Sequence, residues 1–163
     1  MVAQNVAFGI LATIMVVGAL RVVTTNNIVH AALWLVTVLA GGAGQFLLLG
    51  QEFVAWVQVI VYIGAVIVLF LFAIMLTHAP MHPTEKLNND MRALSLLPVL
   101  VLVGTLAWVL IDEWGNDRIH LVRPVHTAEV GNVVFRAYLV PFELVGVLLL
   151  GALIGAVVLA RKD

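Results

Sequence analysis

The sequence has 163 residues, of which 63% are hydrophobic and only 10% are charged, and its formal net charge is -1. Soluble domains carry about 25% charged residues, so this composition, with a mean hydropathy of +1.14, excludes a soluble globular protein and predicts a single all-α membrane domain over residues 1–163. The charge offers no electrostatic basis for binding nucleic acid. The absence of cysteine excludes disulfides, thiol nucleophiles and cysteine-ligated metal sites.

Five apolar runs are each long enough to cross a bilayer as a helix, since about 20 residues span the hydrocarbon layer. The first run is followed, not preceded, by Arg21, so we interpret it as a retained helix and not as a signal peptide. The sequence therefore predicts a polytopic membrane protein with five transmembrane helices, over residues 2–20, 28–49, 53–76, 93–111 and 142–160.

The connections between these helices differ in length and polarity. Residues 50–52 leave almost no loop, so the second and third helices are expected to form a tight antiparallel hairpin. Residues 78–92 and 112–132 are expected to be polar loops. Residues 133–140 are apolar but interrupted by a charge, which predicts a short interfacial helix or a re-entrant piece. Pro141 then suits the first turn of the last helix.

The distribution of lysine and arginine predicts the orientation. Basic residues are more frequent in cytoplasmic loops, and the larger group lies on one side if the N-terminus is outside and the C-terminus is cytoplasmic. In that orientation the cytoplasmic group is Arg21, Lys86, Arg92, Arg161 and Lys162, and the outer group is Arg118, Arg123 and Arg136.

The third run carries more polar residues than a lipid anchor needs. Gln51, Ala55, Gln58 and Tyr62 recur at helical spacing and form one stripe. Two interpretations remain open. The amides and the phenol hold neighbouring helices together, or they form a lane for water and protons in which the Tyr62 hydroxyl donates and accepts hydrogen bonds.

Gly64 and Ala65 lie in the middle of the same run. A glycine there weakens the helix, which indicates either close packing or a local irregularity.

Two acidic residues begin helices. Glu52 opens the third run and Glu143 follows Pro141 at the start of the fifth. A carboxylate in the first turn is favoured by the helix dipole. The alternative is a protonatable relay at the mouth of a proton path, and both residues would lie near the outer face.

Two patches of small residues indicate close helix contacts. Gly41, Gly42, Ala43 and Gly44 form one, and the GxxxG of Gly151 and Gly155 forms the other. The histidines lie in loops or at a helix edge, which does not suit haem ligation, and no helix pairs a Ser or Thr with a His or Asp. The sequence therefore predicts no catalytic, cofactor-binding or metal site in this chain.

Three segments resemble one protein family. The run YIGAVIVLFLF of residues 62–72, preceded by EFVA at 52–55, resembles the third helix of subunit J of bacterial NADH–quinone oxidoreductase (respiratory complex I), the family of mitochondrial NADH dehydrogenase subunit 6. NIVHAAL at 27–33 is similar to the start of its second helix. YLVPFEL at 138–144 with ALIGAVVLA at 152–160 is similar to its last helix.

The resemblance implies a multi-pass subunit of the bacterial inner membrane with its N-terminus outside. NADH, FMN, iron–sulfur clusters and quinone would all be bound by other subunits. The partners would be the other membrane subunits of the complex, especially the K-type, A-type, H-type and N-type subunits, together with the lipid bilayer.

The resemblance also implies that the third helix switches between a π-bulged form and a regular α form near the tyrosine and the glycine. One inserted residue turns everything beyond it by about 100°, which would move Val66 and Phe70 relative to Tyr62. We therefore expect the chain to help couple quinone reduction to proton movement, with Tyr62, Gly64, Ala65, Gln58, Val66, Phe70, Glu52 and Glu143 as the proton-path or switch residues. The alternatives are a stand-alone small transporter and a purely structural assembly subunit.

Overall fold

The computed structural model describes residues 2–77, 92–115 and 123–161. The helices are α1 (Val2–Thr24), α2 (Ile28–Leu48), α3 (Glu52–Val57), a π-helical segment (Gln58–Val66), α4 (Ile67–Leu76), α5 (Arg92–Trp114), α6 (Thr127–Ala137) and α7 (Leu139–Ala160). Among the described residues no strand is present, and five spans are long and apolar enough to cross a membrane. The predicted fold class and the five helices are thus confirmed. The third span is Glu52–Leu76, made of α3, the π segment and α4.

The helix boundaries differ from the expected ones by one to four residues. The first helix continues through Arg21 to Thr24, because arginine is a good helix former and its long chain keeps the charge outside the apolar region. The fourth helix extends to Trp114 and so includes Asp112 and Glu113. The fifth begins at Leu139, and Pro141 stands within its first turn, where a missing N–H removes no helical hydrogen bond.

The segment for which the sequence predicts a short interfacial helix or a re-entrant piece is helical, but the helix starts earlier than expected. The prediction covers residues 133–140, whereas α6 covers Thr127–Ala137. The helix is strongly amphipathic and is joined to α7 through Tyr138, whose N–H bonds back to the carbonyls of Val133 and Val134. Of the polar loop expected at residues 78–92, residues 78–91 lie outside the described residues. Of the second polar loop, expected at residues 112–132, residues 116–122 lie outside them.

The first three spans pack together, and α2 is at their centre. Antiparallel α1 and α2 approach closely at glycines: a Cβ added to Gly18 would stand 2.8 Å from Val38 Cγ2, and one added to Gly44 would stand 3.0 Å from a Leu11 methyl group. The side chain of Gln45 donates a hydrogen bond of 3.4 Å to the Phe8 carbonyl. Helix association in lipid depends on such small-residue contacts and interhelical hydrogen bonds.

Both ends of α2 are defined by local chemistry. At its start the Asn27 side chain accepts hydrogen bonds from the backbone N–H groups of Val29 (2.9 Å) and His30 (3.3 Å), which is a favoured helix cap. At its end Gly50 adopts a φ of +72°, and the N–H groups of Gly50 and Gln51 donate to the carbonyls of Leu47 and Phe46. This closed turn confirms the tight hairpin between the second and third helices.

The fourth and fifth spans contrast with this unit. Within the described part of the chain, α5 contacts no other helix and α7 contacts only α6. The described side chains of both spans are exposed along their whole lengths. Their apolar surface must therefore face lipid or other proteins.

We predict that this chain is stable only together with partner subunits. Among the described residues, two of its five spans make almost no contact with the rest of the chain, so little holds them in place against the other three. Expression of the chain alone in a membrane, followed by size-exclusion chromatography in mild detergent, should give aggregated or degraded material. A folded, monodisperse monomer would contradict the prediction.

Candidate functional site: the third span

The third span lies against α2 along its length, and α3 also contacts α6. Only two of its residues are buried. They are Ala55 in α3, 3% exposed, and Ile67 at the start of α4, 4% exposed. These two side chains mark where the span packs against its neighbours.

The spacing of the two buried residues does not fit an α-helix. Eleven residues make about three turns, so a regular α-helix that buries Ala55 would bring residue 66, three turns later, back to the same face. Val66 is instead 48% exposed, and Ile67, twelve positions after Ala55, is buried. The π segment between them accounts for the additional residue, because it winds more residues into each turn.

The π segment covers Gln58–Val66, the part of the span in which the resemblance implies a bulge. Its hydrogen bonding is still of π type at its end, where the Ile67 N–H donates to the Tyr62 carbonyl five residues earlier. The segment contains Gln58, Tyr62, Gly64, Ala65 and Val66, and Phe70 follows in α4. Six of the eight expected switch residues thus lie in or next to the irregular part of the span.

The π segment also breaks the polar stripe. Ala55 is buried and Gln58 is half-buried, whereas Tyr62, which a regular α-helix would place on the same stripe, is 48% exposed. Among the described residues, no hydrogen bond is formed by the side chain of Gln58 or by the Tyr62 hydroxyl. Both polar groups are therefore available to water or to a partner.

The Gly41–Gly44 patch serves two interfaces. Gly44 and Gly41 face α1, since an added Cβ would meet Leu11 and Met15 respectively, whereas an added Cβ on Gly42 would be 3.9 Å from the Gln58 amide nitrogen. The predicted packing role is thus seen for this patch. For Gly151 and Gly155, an added Cβ would meet nothing within 4 Å in the described residues, so that GxxxG makes no contact within this chain.

Gly64 faces open space in the described part of the chain. A Cβ built there has only the Val59 carbonyl oxygen within 4 Å, at an ordinary contact distance of 3.5 Å. Gly64 therefore does not admit another described helix of this chain, and its effect is on the backbone of the span or on a partner subunit.

Glu52 and Glu143 are not brought together. Glu52 stands at the start of α3, half exposed, with its Oε2 atom 3.8 Å from His126 Nδ1. Glu143 is exposed near the start of α7, beside Phe142, whose ring makes an edge contact with Phe135 at 5.3 Å. The helices α3 and α7 both contact α6 and do not contact each other.

Three features of the structure are not among the sequence-based predictions. Gly18 packs α1 against α2, and an isolated glycine in an apolar helix is a recognisable signal for such packing. The burial of Ile67 does not follow from a constant period of 3.6 residues per turn. The pairing of residues 123–126 with the start of the span joins positions more than 70 apart, and no local pattern predicts it.

Comparison with known sequences assigns the chain to a family. The sequence profile described as NADH-ubiquinone/plastoquinone oxidoreductase chain 6 matches residues 18–159. The chain is 40% identical to NAD(P)H-quinone oxidoreductase chain 6 of Nostoc sp. over 98% of its own length and 80% of the relative. It is 37% identical to the chloroplastic subunit 6 of Mesostigma viride, over 98% and 85%. It is 31% identical to NADH-quinone oxidoreductase subunit J of Rickettsia felis, over 95% and 79%.

These matches span nearly the whole chain, including the third span and its irregular segment. The chain belongs to the family of NADH-quinone oxidoreductase chain 6, which includes subunit J.

Proposed function

We propose that this chain is a membrane subunit of a proton-translocating NADH–quinone oxidoreductase, and that its third span couples quinone reduction to proton movement by changing its helical form. The observation that carries the proposal is the burial of Ala55 and Ile67 twelve positions apart, across a π segment. The family membership is the basis for proposing this enzyme. The spacing of the two buried residues is the basis for proposing how the span couples the two processes.

Conversion of the π segment to a regular α-helix would change which residue is buried. With α3 held in place, loss of one residue from the winding turns α4 by about 100°. Ile67 would leave its position against α2 and Val66 would turn towards it. Phe70, 43% exposed in the π form, would turn with them.

This rotation changes the polar environment along the span. Gln58 and Tyr62 carry hydrogen-bonding groups that are not used within the described chain, so they are suited to order water between the two halves of the span. Movement of Val66 and Phe70 would place or remove apolar bulk beside that water. An apolar gap interrupts proton transfer, since protons move along hydrogen-bonded chains, and closing the gap restores it.

We also propose that NADH, FMN, iron–sulfur clusters and quinone are bound by other subunits, and that this chain contributes no catalytic residue. The exposed α5 and α7 offer surfaces to the K-type, A-type, H-type and N-type membrane subunits and to lipid. We place the complex in the bacterial inner membrane with the N-terminus of this chain outside.

We predict that Gly64→Val, and equally Gly64→Leu, will reduce coupled turnover more than it reduces assembly. The added side chain removes the backbone freedom that glycine gives this position, and in the π form its Cβ meets only the Val59 carbonyl oxygen at 3.5 Å. We therefore expect it to hold the span in the π form. The measurement is the rate of proton pumping during NADH–quinone turnover in membrane vesicles, beside the amount of intact complex on native gels.

Gly9→Val is the matched control, because Gly9 is also in an apolar span and an added Cβ there meets nothing within 4 Å in the described residues. It should leave both quantities near the parent values. If Gly64→Val lowers activity only in proportion to the loss of intact complex, Gly64 serves assembly and not switching.

We also predict that Glu52→Gln and Glu143→Gln will each leave quinone reduction within about tenfold of the parent, which corresponds to about 1.4 kcal/mol in barrier height. Both carboxylates are exposed, and even a fully charged pair at an exposed position contributes only about 0–1 kcal/mol. Steady-state turnover of the assembled complex is the measurement. A larger loss with normal assembly would make the affected residue a proton relay.

A further inference from the structure

The start of the third span is held by a distant part of the chain. Residues 123–126, which lead from the second polar loop into α6, lie against the turn between α2 and α3. The Val125 N–H donates a hydrogen bond of 3.1 Å to the Gly50 carbonyl, and Gln51 and Val125 form a parallel bridge.

Side chains support this backbone pairing at both ends. His126 Nδ1 is 3.8 Å from Glu52 Oε2. Arg123 forms an ion pair with Glu129 in the first turn of α6, which ties the beginning of the segment to the helix that follows it. The contact between α6 and α3 extends the same attachment.

The approach of the segment is close enough to require glycine at position 50. Its φ of +72° is unfavourable for other residues, and an added Cβ would stand 3.1 Å from the Pro124 Cα. Gly50 thus allows the turn that ends α2, and its lack of a side chain makes room for residues 123–126.

The two halves of the third span are therefore held unequally. The α3 half has the short turn to α2, the backbone pairing with residues 123–126, the contact with α6 and the buried Ala55. Within the described residues, the helix contacts of the α4 half outside its own span are with α2, and Ile67 is its single buried residue. If the two halves rotate relative to each other, we expect α4 to turn, because it has fewer contacts to break than α3.

We propose that residues 123–126 are a positioning latch, which keeps α3 fixed so that any change of helical form in the π segment turns α4 alone. This inference rests on the proposed switching of the third span. The latch acts through α3 and touches no reacting group.

The test uses the absence of cysteine from the chain. Single Ala55→Cys and Ile67→Cys variants of the assembled complex are treated with N-ethylmaleimide, which enters the bilayer, at rest and during turnover, and labelling of this chain is read by mass spectrometry. With the latch intact, turnover should raise the labelling rate at position 67 by about tenfold and leave position 55 shielded, because only the α4 half opens locally.

The same two variants are then combined with Val125→Pro, which removes the N–H that bonds to Gly50, or with Val125→Ala, which keeps it. Val125→Pro should make position 55 respond to turnover as well, and Val125→Ala should not. If position 67 responds but position 55 remains shielded with Val125→Pro, the latch is wrong and the switch stands. If neither position responds to turnover in the parent, the switch itself is wrong.

A second variant guards against misfolding caused by proline. Gln51→Cys with Val125→Cys places two thiols on the paired residues, and oxidation should lock the latch shut without loss of coupled turnover. If oxidation stops turnover and a reductant restores it, residues 123–126 must leave α3 during the cycle, and the proposal is overturned.

Discussion

The arrangement of this protein depends on how the third span is seated on α2. Ala55 and Ile67 are both buried, and twelve positions separate them where a regular α-helix allows eleven. Lipid provides no hydrophobic force between helices, so the seating relies on van der Waals contact and on small residues that let backbones approach. The π segment allows Ala55 and Ile67 to be buried at the same time. It lies among the residues in which the family resemblance is strongest.

Other described parts of the chain also pack around α2. The glycines of α2 are directed to two neighbours, with Gly41 and Gly44 towards α1 and Gly42 towards the third span. The turn at Gly50 fixes the start of α3, and residues 123–126 close over it. By contrast, α5 and α7 leave their apolar surfaces unoccupied within the described chain. The proposed rotation of α4 would therefore take place within the three-span unit, while the surfaces of α5 and α7 face lipid or partner subunits.

Much of the fold could be predicted from the sequence, since apolar length alone determines a membrane span. The five spans, the hairpin at residues 50–52 and the first-turn position of Pro141 were all expected and are present. The polar stripe was correct only as far as Gln58, because a constant 3.6-residue period cannot represent a π segment. Gly64 and Ala65 marked the weak part of the helix, but the winding between Ala55 and Ile67 is set by contacts with α2 that no local pattern contains. The pairing of Val125 with Gly50 is non-local in the same sense.

The π segment accommodates one residue more than an α-helix would place between the two buried positions. Deletion of Ala65 tests it most directly, with insertion of an alanine beside Ala65 as the matched control, and intact complex on native gels as the measurement. Deletion brings the two buried residues to eleven positions apart, so we expect a regular α-helix in which both remain buried. The variant should assemble into the complex but should not pump protons. Insertion leaves thirteen, and it should prevent assembly. Equal loss of the complex in both variants would contradict the claim.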